Sequence, residues 1–240
     1  MLRKMKILHR HFIINVCLLL ILCSGVSAQP VAQKLLWSIG KADESAAEFA
    51  LAPNGYTEFA PKGFGGANRY YVVGKSDPKH DWPYILPGPK DGFAGYGYWA
   101  GRALHQLPVY FELEQTIDSG TCTLVVSFLE VGSTNAPLFR AFINGKIYEH
   151  QLLPGKSGEE PDKLNANIQS VTFNVPSKNL KKGINEIVFQ NMSGGWCVFD
   201  EVKFIGPKEL ALGKIDNTVL KSVGFADFKM KEKNRDKSLG

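Results

Sequence analysis

The segment TCTLVVSFLEV, residues 121–131, sorts its side chains by a period of two: Cys122, Leu124, Val126 and Phe128 share one face, and Thr121, Thr123, Val125, Ser127 and Leu129 share the other. That period fits a half-buried strand and no helix, so Cys122 is expected to point into a core. The pattern recurs along the chain. VYFELEQ (residues 109–115) precedes this run across TIDSG, whose Asp-Ser-Gly is a tight-turn signal. Asn144-Gly145 lies between LFRAFI and KIYEHQL and is the strongest hairpin signal present. SVTFNVP, LKKGINEIVFQN and WCVFDEVKFI supply three more strands, parted by Pro-Ser-Lys and Ser-Gly-Gly. Six or more short strands at about ten-residue spacing predict an all-β chain folded as a β-sandwich. One short helix is expected at ADESAAEFAL, with Asp43 or Ser45 as its cap and Glu44 and Glu48 near its positive end.

The first 28 residues read differently. Arg3, Lys4, Lys6 and Arg10 precede the apolar run FIINVCLLLILC, and GVSA then offers small residues for cleavage after Ala28. This order is that of a secretory signal peptide. The apolar run is short of the ~20 residues that a membrane span requires, and Leu22 before Cys23 argues against a lipoprotein signal. The expectation is therefore a cleaved leader and a secreted or periplasmic protein with no membrane partner. Without the leader, 24 basic residues face 23 acidic ones. That balance gives no electrostatic reason to expect nucleic acid. Residues 208–240 hold the one local charge run, KMKEKNRDKSLG, expected as a poorly ordered basic tail. The sandwich is assigned to residues 29–207. Cys122 and Cys197 remain after cleavage, and they are expected apart and reduced.

Residues 76–101, SDPKHDWPYILPGPKDGFAGYGYWAG, pose the functional question, because two Trp and three Tyr share them with four Pro and five Gly. Such a segment is hardly expected to form a regular strand or helix. Either the rings plug the core beneath a loop, or they await a flat ligand. A sugar presents apolar C–H faces and hydroxyl edges, so its binders pair open rings with carboxylates, amides and cations. Trp82, Tyr96, Tyr98 and Trp99 beside Asp81, Lys90 and Asp91 have that composition. Trp82-Pro83-Tyr84-Ile85 equally suits burial. Trp196, next to the last strand, is assigned to the core.

Catalytic signals are weak. His80, His105 and His150 are scattered, and the chain lacks HExxH, CxxC and GxSxG motifs. Lys79, His80 and Asp81 are the best acid–base candidates, against the simpler reading of a solvated loop. GFGGAN (residues 63–68) has no flanking strand and helix to make it a phosphate loop and reads as a turn. Asp200 is expected to fix a bulge or turn. No DxDxDG-type run supports calcium, and no cofactor is expected. Asn191-Met192-Ser193 forms a glycosylation sequon.

LLWSIGKADESAAEF, YYVVGKSDPKHDWPY, FRAFINGK, GINEIVF and GGWCVFDEVKFIGP together resemble the third domain of rhamnogalacturonan lyases of polysaccharide lyase family four. The likeness covers roughly residues 35–207, with Trp37-Ser38-Ile39-Gly40, Asp43 and Phe49 its most distinctive part. It implies a galactose-binding-like jelly roll regarded as carbohydrate-binding. The Lys and His that perform β-elimination in that family belong to a separate N-terminal domain, for which this chain has no room. The expectation is an exported, non-catalytic carbohydrate-binding module for plant-type polysaccharide such as rhamnogalacturonan. Its partners would be polysaccharide or oligosaccharide and the catalytic modules of a degradation system. A structural spacer or partner-docking sandwich is the alternative, and an orphan lyase or glycoside hydrolase the third.

Overall fold

The structure is a computed structural model and describes residues 32–66, 68–91, 103–156 and 168–216. Its elements are β1 (Gln33–Gly40), β2 (Tyr71–Val72), the short helix α1 (Pro78–Asp81), β3 (Ile85–Leu86), β4 (Leu107–Leu113) and β5 (Thr121–Val131). They continue with β6 (Leu138–Ile143), β7 (Lys146–Gln151), β8 (Gln169–Pro176), β9 (Gly183–Asn191) and β10 (Cys197–Pro207). One sheet has the order β1-β10-β5-β8, with β3 added to β10; the other runs β2-β4-β9-β6-β7. Among the described strands only β2 and β4 pair in parallel. The all-β sandwich expected from the alternating runs is what forms.

The reason lies in the pairing of faces. Cys122, Leu124, Val126 and Phe128 of β5 are fully buried, as their alternation requires. Phe128 meets Phe139 of the other sheet edge-on at 5.1 Å, and Phe139 stacks on Phe189 at 5.8 Å. Each such ring contributes about 1.5–3 kcal/mol on leaving water. Trp196 joins this core. The hairpin signal is also realised: Asn144 (φ 45°) and Gly145 (φ 86°) connect β6 to β7 as a two-residue turn with both residues left-handed. The Asp-Ser-Gly turn behaves otherwise, because β4 and β5 lie in different sheets, and TIDSG carries the chain across the sandwich.

The helix expected at ADESAAEFAL does not form; residues 42–49 are bends, turns and irregular backbone. Asp43 Oδ1 accepts from Ser45 N–H at 3.2 Å and Ser45 Oγ accepts from Ala47 N–H at 3.1 Å, so the capping chemistry is present. Glu44, however, has φ 61°, which no right-handed helix accommodates, and its N–H donates to Asp200 Oδ1 at 3.1 Å. A long-range bond has displaced a local one. Asp200 sits where the β10–β5 register shifts between Phe199 and Glu201, so it does mark a bulge, and burial raises its carboxyl above the ordinary value.

Residues 208–216, expected from their charge to belong to a frayed tail, pack on the sandwich: Leu210 enters the main core, and Ile215 is buried against Val72 and Tyr110. Asn191 of the sequon is fully buried, its Nδ2 donating to Leu86 O at 2.8 Å and Gly195 O at 3.2 Å. The folded protein holds that side chain out of reach.

Cys122 and Cys197 are buried and free. Cys197 lies opposite Val131, whereas Cys122 lies nine residues earlier on β5, about 30 Å away at ~3.4 Å per residue. No disulfide spans that distance. Burial pushes the Cys122 thiol from 9.0 up to about 11 and raises the Cys197 thiol as well. The folded chain therefore keeps protons that the unfolded chain releases above its ordinary thiol value. Stability is expected to fall as pH rises past about 9, by up to ~1.4 kcal/mol per pH unit for each thiol. Denaturant midpoints measured from pH 8 to 10.5 should drop less steeply in Cys122→Ala; an unchanged slope would contradict the buried-thiol account.

Candidate functional site

Residues 59–66 fold into turns that are nailed to the sandwich by aromatic packing. Phe59 and Phe64 are buried with ring centroids 5.8 Å apart, and His105 meets Phe59 edge-on at 5.1 Å. Gln106 N–H donates to Gly65 O at 3.1 Å. At Gly65 (φ 82°) a Cβ would fall 2.4 Å from His105 Nδ1, so this glycine is required. Residues 63–66 of GFGGAN thus form a turn, as the sequence indicates, but an anchored one.

Arg69 ties this loop to α1. Its guanidinium carbon lies 3.8 Å above the centroid of the Phe64 ring, one nitrogen donates to Lys62 O at 2.5 Å, and another donates to His80 O. These carbonyl partners fix the position of the guanidinium. On the facing side, Asp77 caps α1: its Oδ1 accepts from Lys79 N–H at 2.9 Å, and Pro78 supplies the first helical position. That backbone N–H, with help from His80, holds the exposed Asp77 carboxyl below its ordinary value. Asp81 Oδ2 accepts from Asp77 N–H at 3.0 Å.

Between loop and helix lies an open cleft of about 500 Å3, lined by Lys62, Gly63, Asn68, Arg69, Tyr70 and Asp81. Tyr70 is half-buried, its ring edge-on to Tyr110 at 5.5 Å, and Tyr110 Oη donates to Glu186 Oε1 at 2.8 Å. One ring, one amide, one carboxylate and two cations converge on the same space. An apolar ring face with polar groups around its rim suits a hydroxyl-rich ligand.

The residues expected to form a site are divided by the structure. Asp81 borders the cleft. Trp82, its neighbour, is 1 % exposed and lies between the sheets, edge-on to Tyr71 at 6.0 Å, Phe189 at 5.7 Å and Phe199 at 5.3 Å. As a core residue it offers no face to solvent, which corrects its place among the candidate sugar-binding rings. Burial of Tyr71 beside Asp77 and Asp81 raises its hydroxyl to about 12.

Lys90 and Asp91 stand elsewhere, in the turn after β3. Asp91 is buried and accepts from Gly88 N–H at 2.5 Å, and Lys90 N–H donates to Gly194 O at 3.0 Å while its Nζ reaches Asn135 Oδ1 at 3.4 Å. The Lys90 bonds pin the turn to the loops before β10 and after β5, and the Asp91 carboxylate closes the turn itself, so Asp91 in particular is a structural group. Tyr96, Tyr98 and Trp99 lie outside the described residues. His80 is exposed, with Nδ1 3.2 Å from Asp77 Oδ2, and Lys79 Nζ is 2.6 Å from Ala47 O. The Lys79–His80–Asp81 triplet is therefore spread around an open helix and encloses no acid–base cleft. Lys62, Asn68, Arg69 and Tyr70 were not singled out from sequence, although a ring flanked by an amide and a cation in NRYY carried the same composition as the segment that was.

The family profile described as CBM-like, polysaccharide lyase family 4, domain III, matches residues 35–204. No curated protein matches this chain. Among solved structures, a family 35 carbohydrate binding module from an environmental isolate is 15 % identical, with a TM-score of 0.35 over 47 % of this chain and 72 % of that one. The CBM35 from Cellvibrio japonicus Abf62 is 18 % identical, with a TM-score of 0.34 over 47 % and 72 %. The family 35 carbohydrate binding module from Clostridium thermocellum is 17 % identical, with a TM-score of 0.29 over 52 % and 74 %.

Proposed function

The chain belongs to the CBM-like family of polysaccharide lyase family 4, domain III, and from that premise we propose that it is an exported carbohydrate-binding module for plant-type polysaccharide such as rhamnogalacturonan, serving a polysaccharide-degrading system. The observation that carries the reading is the cleft in which Tyr70 meets Asn68, Arg69, Lys62 and Asp81. Its ring covers a sugar's C–H face, and the polar groups fix the hydroxyls. The role requires no catalytic group, and the signal-like leader supports export.

The test is calorimetric titration of the exported protein, of a mass corresponding to cleavage after Ala28, with rhamnogalacturonan oligosaccharides. One such site should bind with a dissociation constant between about 1 mM and 1 μM. Tyr70→Ala is expected to weaken binding at least about tenfold, a loss of ~1.4 kcal/mol, while the protein still melts cooperatively. Full binding by Tyr70→Ala would remove the cleft from the function. New ultraviolet absorbance from an unsaturated uronide would show β-elimination and overturn the non-catalytic role.

A further inference from the structure

A second hollow, of about 340 Å3, lies on the other side of α1 and is lined by Glu44, Ser45, Ala46, Ala47, Ala52, Pro53 and Lys79. Its lining combines small apolar side chains with the carboxylate of Glu44, the hydroxyl of Ser45 and the ammonium of Lys79. Ser45 Oγ accepts from Ala47 N–H at 3.1 Å, and a hydroxyl that accepts still has a proton to donate. The chemistry repeats that of the first cleft with a proline and alanines where Tyr70 stands.

The two hollows are related through α1. Lys79 lines one and Asp81 the other. Residues two apart on a helix of 3.6 per turn point about 200° apart, so these side chains leave opposite flanks of the same turn. The crest between them carries His80, whose side chain is 76 % exposed, with its Nδ1 held 3.2 Å from Asp77 Oδ2. The ridge is tied down on both flanks: Arg69 donates to His80 O on the side of the first cleft, and Lys79 Nζ donates to Ala47 O at 2.6 Å on the side of the second. Ala50 N–H also donates to Pro78 O at 3.0 Å. A ridge fixed this way requires little ordering when a ligand arrives, which favours affinity.

We propose that the two hollows are subsites of one extended site, spanned by a single glycan strand that crosses α1 over His80. The proposal rests on the carbohydrate-binding reading and adds that the ligand is an internal stretch of a chain, not a lone sugar or a chain end. A helix with its side chains measures about 10 Å across, wider than one pyranose ring. A strand that fills both hollows therefore places one ring in each and at least one over the crest. Tyr70, Asn68 and Asp81 hold the first ring, His80 and Asp77 face the middle, and Lys79, Glu44 and Ser45 hold the last.

The experiment titrates the whole exported protein with rhamnogalacturonan oligosaccharides of two, four, six and eight residues. Affinity is expected to rise at least about tenfold between two and six residues and then level off. In Lys79→Ala and in Glu44→Gln that gain with length should shrink to about twofold or less, and thermal melts should show both variants folded. Glu44→Gln keeps the shape of the side chain at a strained backbone position and guards against a folding artefact in Lys79→Ala. Equal affinity for all lengths overturns the extended site. A length gain that survives in both variants overturns the second hollow as its seat. Absence of binding by the unaltered protein at every length overturns the carbohydrate-binding reading itself, and the inference with it.

Discussion

Trp82→Ala is expected to remove about 3–5 kcal/mol of stability, the range for truncating a buried aromatic. The ring is closed in by Tyr71 of β2, Phe189 of β9 and Phe199 of β10, which together belong to both sheets. A hole at that point loses the contacts that hold the two layers to each other. For a domain of this size the loss corresponds to a fall in melting temperature of about 2–4 °C per kcal/mol. Trp82→Phe should retain most of the stability, because Trp82 Nε1 is buried without a hydrogen-bond partner and a phenyl ring removes that orphan donor. Thermal melts of both variants decide the matter. A near-neutral Trp82→Ala would mean that the ring does not join the layers.

Gly40→Ala is the second large effect. Gly40 ends β1 at φ 79°, and a Cβ there would fall 2.3 Å from Phe49 Cζ and 2.5 Å from Asp200 O. The left-handed backbone costs a non-glycine residue about 1–2 kcal/mol. The collision adds about 1–3 kcal/mol, since Phe49 is fully buried and the facing group is backbone. Gly74→Ala separates the two contributions: its φ is 80°, yet nothing lies within 4 Å of its Cβ position. Denaturant unfolding should show Gly74→Ala losing only the backbone cost and Gly40→Ala clearly more. Equal losses would mean that Phe49 moves aside.

The fate of neighbouring residues shows where sequence reading stops. Asp81 and Trp82 are adjacent, and one borders the cleft while the other fills the core. Nothing local separates them, because the division depends on α1 ending where Ala50 pairs with Pro83 and turns the chain inward. The cleft wall is equally non-local. Asn68, Arg69 and Tyr70 acquire their meaning only when Gln106 binds Gly65 and Arg69 reaches His80 O. Glu44 tells the same story, since a bond to Asp200, 156 positions away, replaced a helix that the local residues would have supported.

What the sequence determined by itself was the periodic part: the alternation in residues 121–131 and its counterparts, the Asn-Gly hairpin, and the inward direction of Cys122 and Trp196. Those features depend on pleat and turn geometry, which reach only a few residues along the chain. The tertiary structure alone decided which strands share a sheet, that Trp82 and Tyr84 of the aromatic segment are core, and that a loop and a four-residue helix close on a common cleft. These outcomes rest on contacts between residues far apart in sequence, and burial, the dominant free energy in folding, is settled only when both sheets are in place.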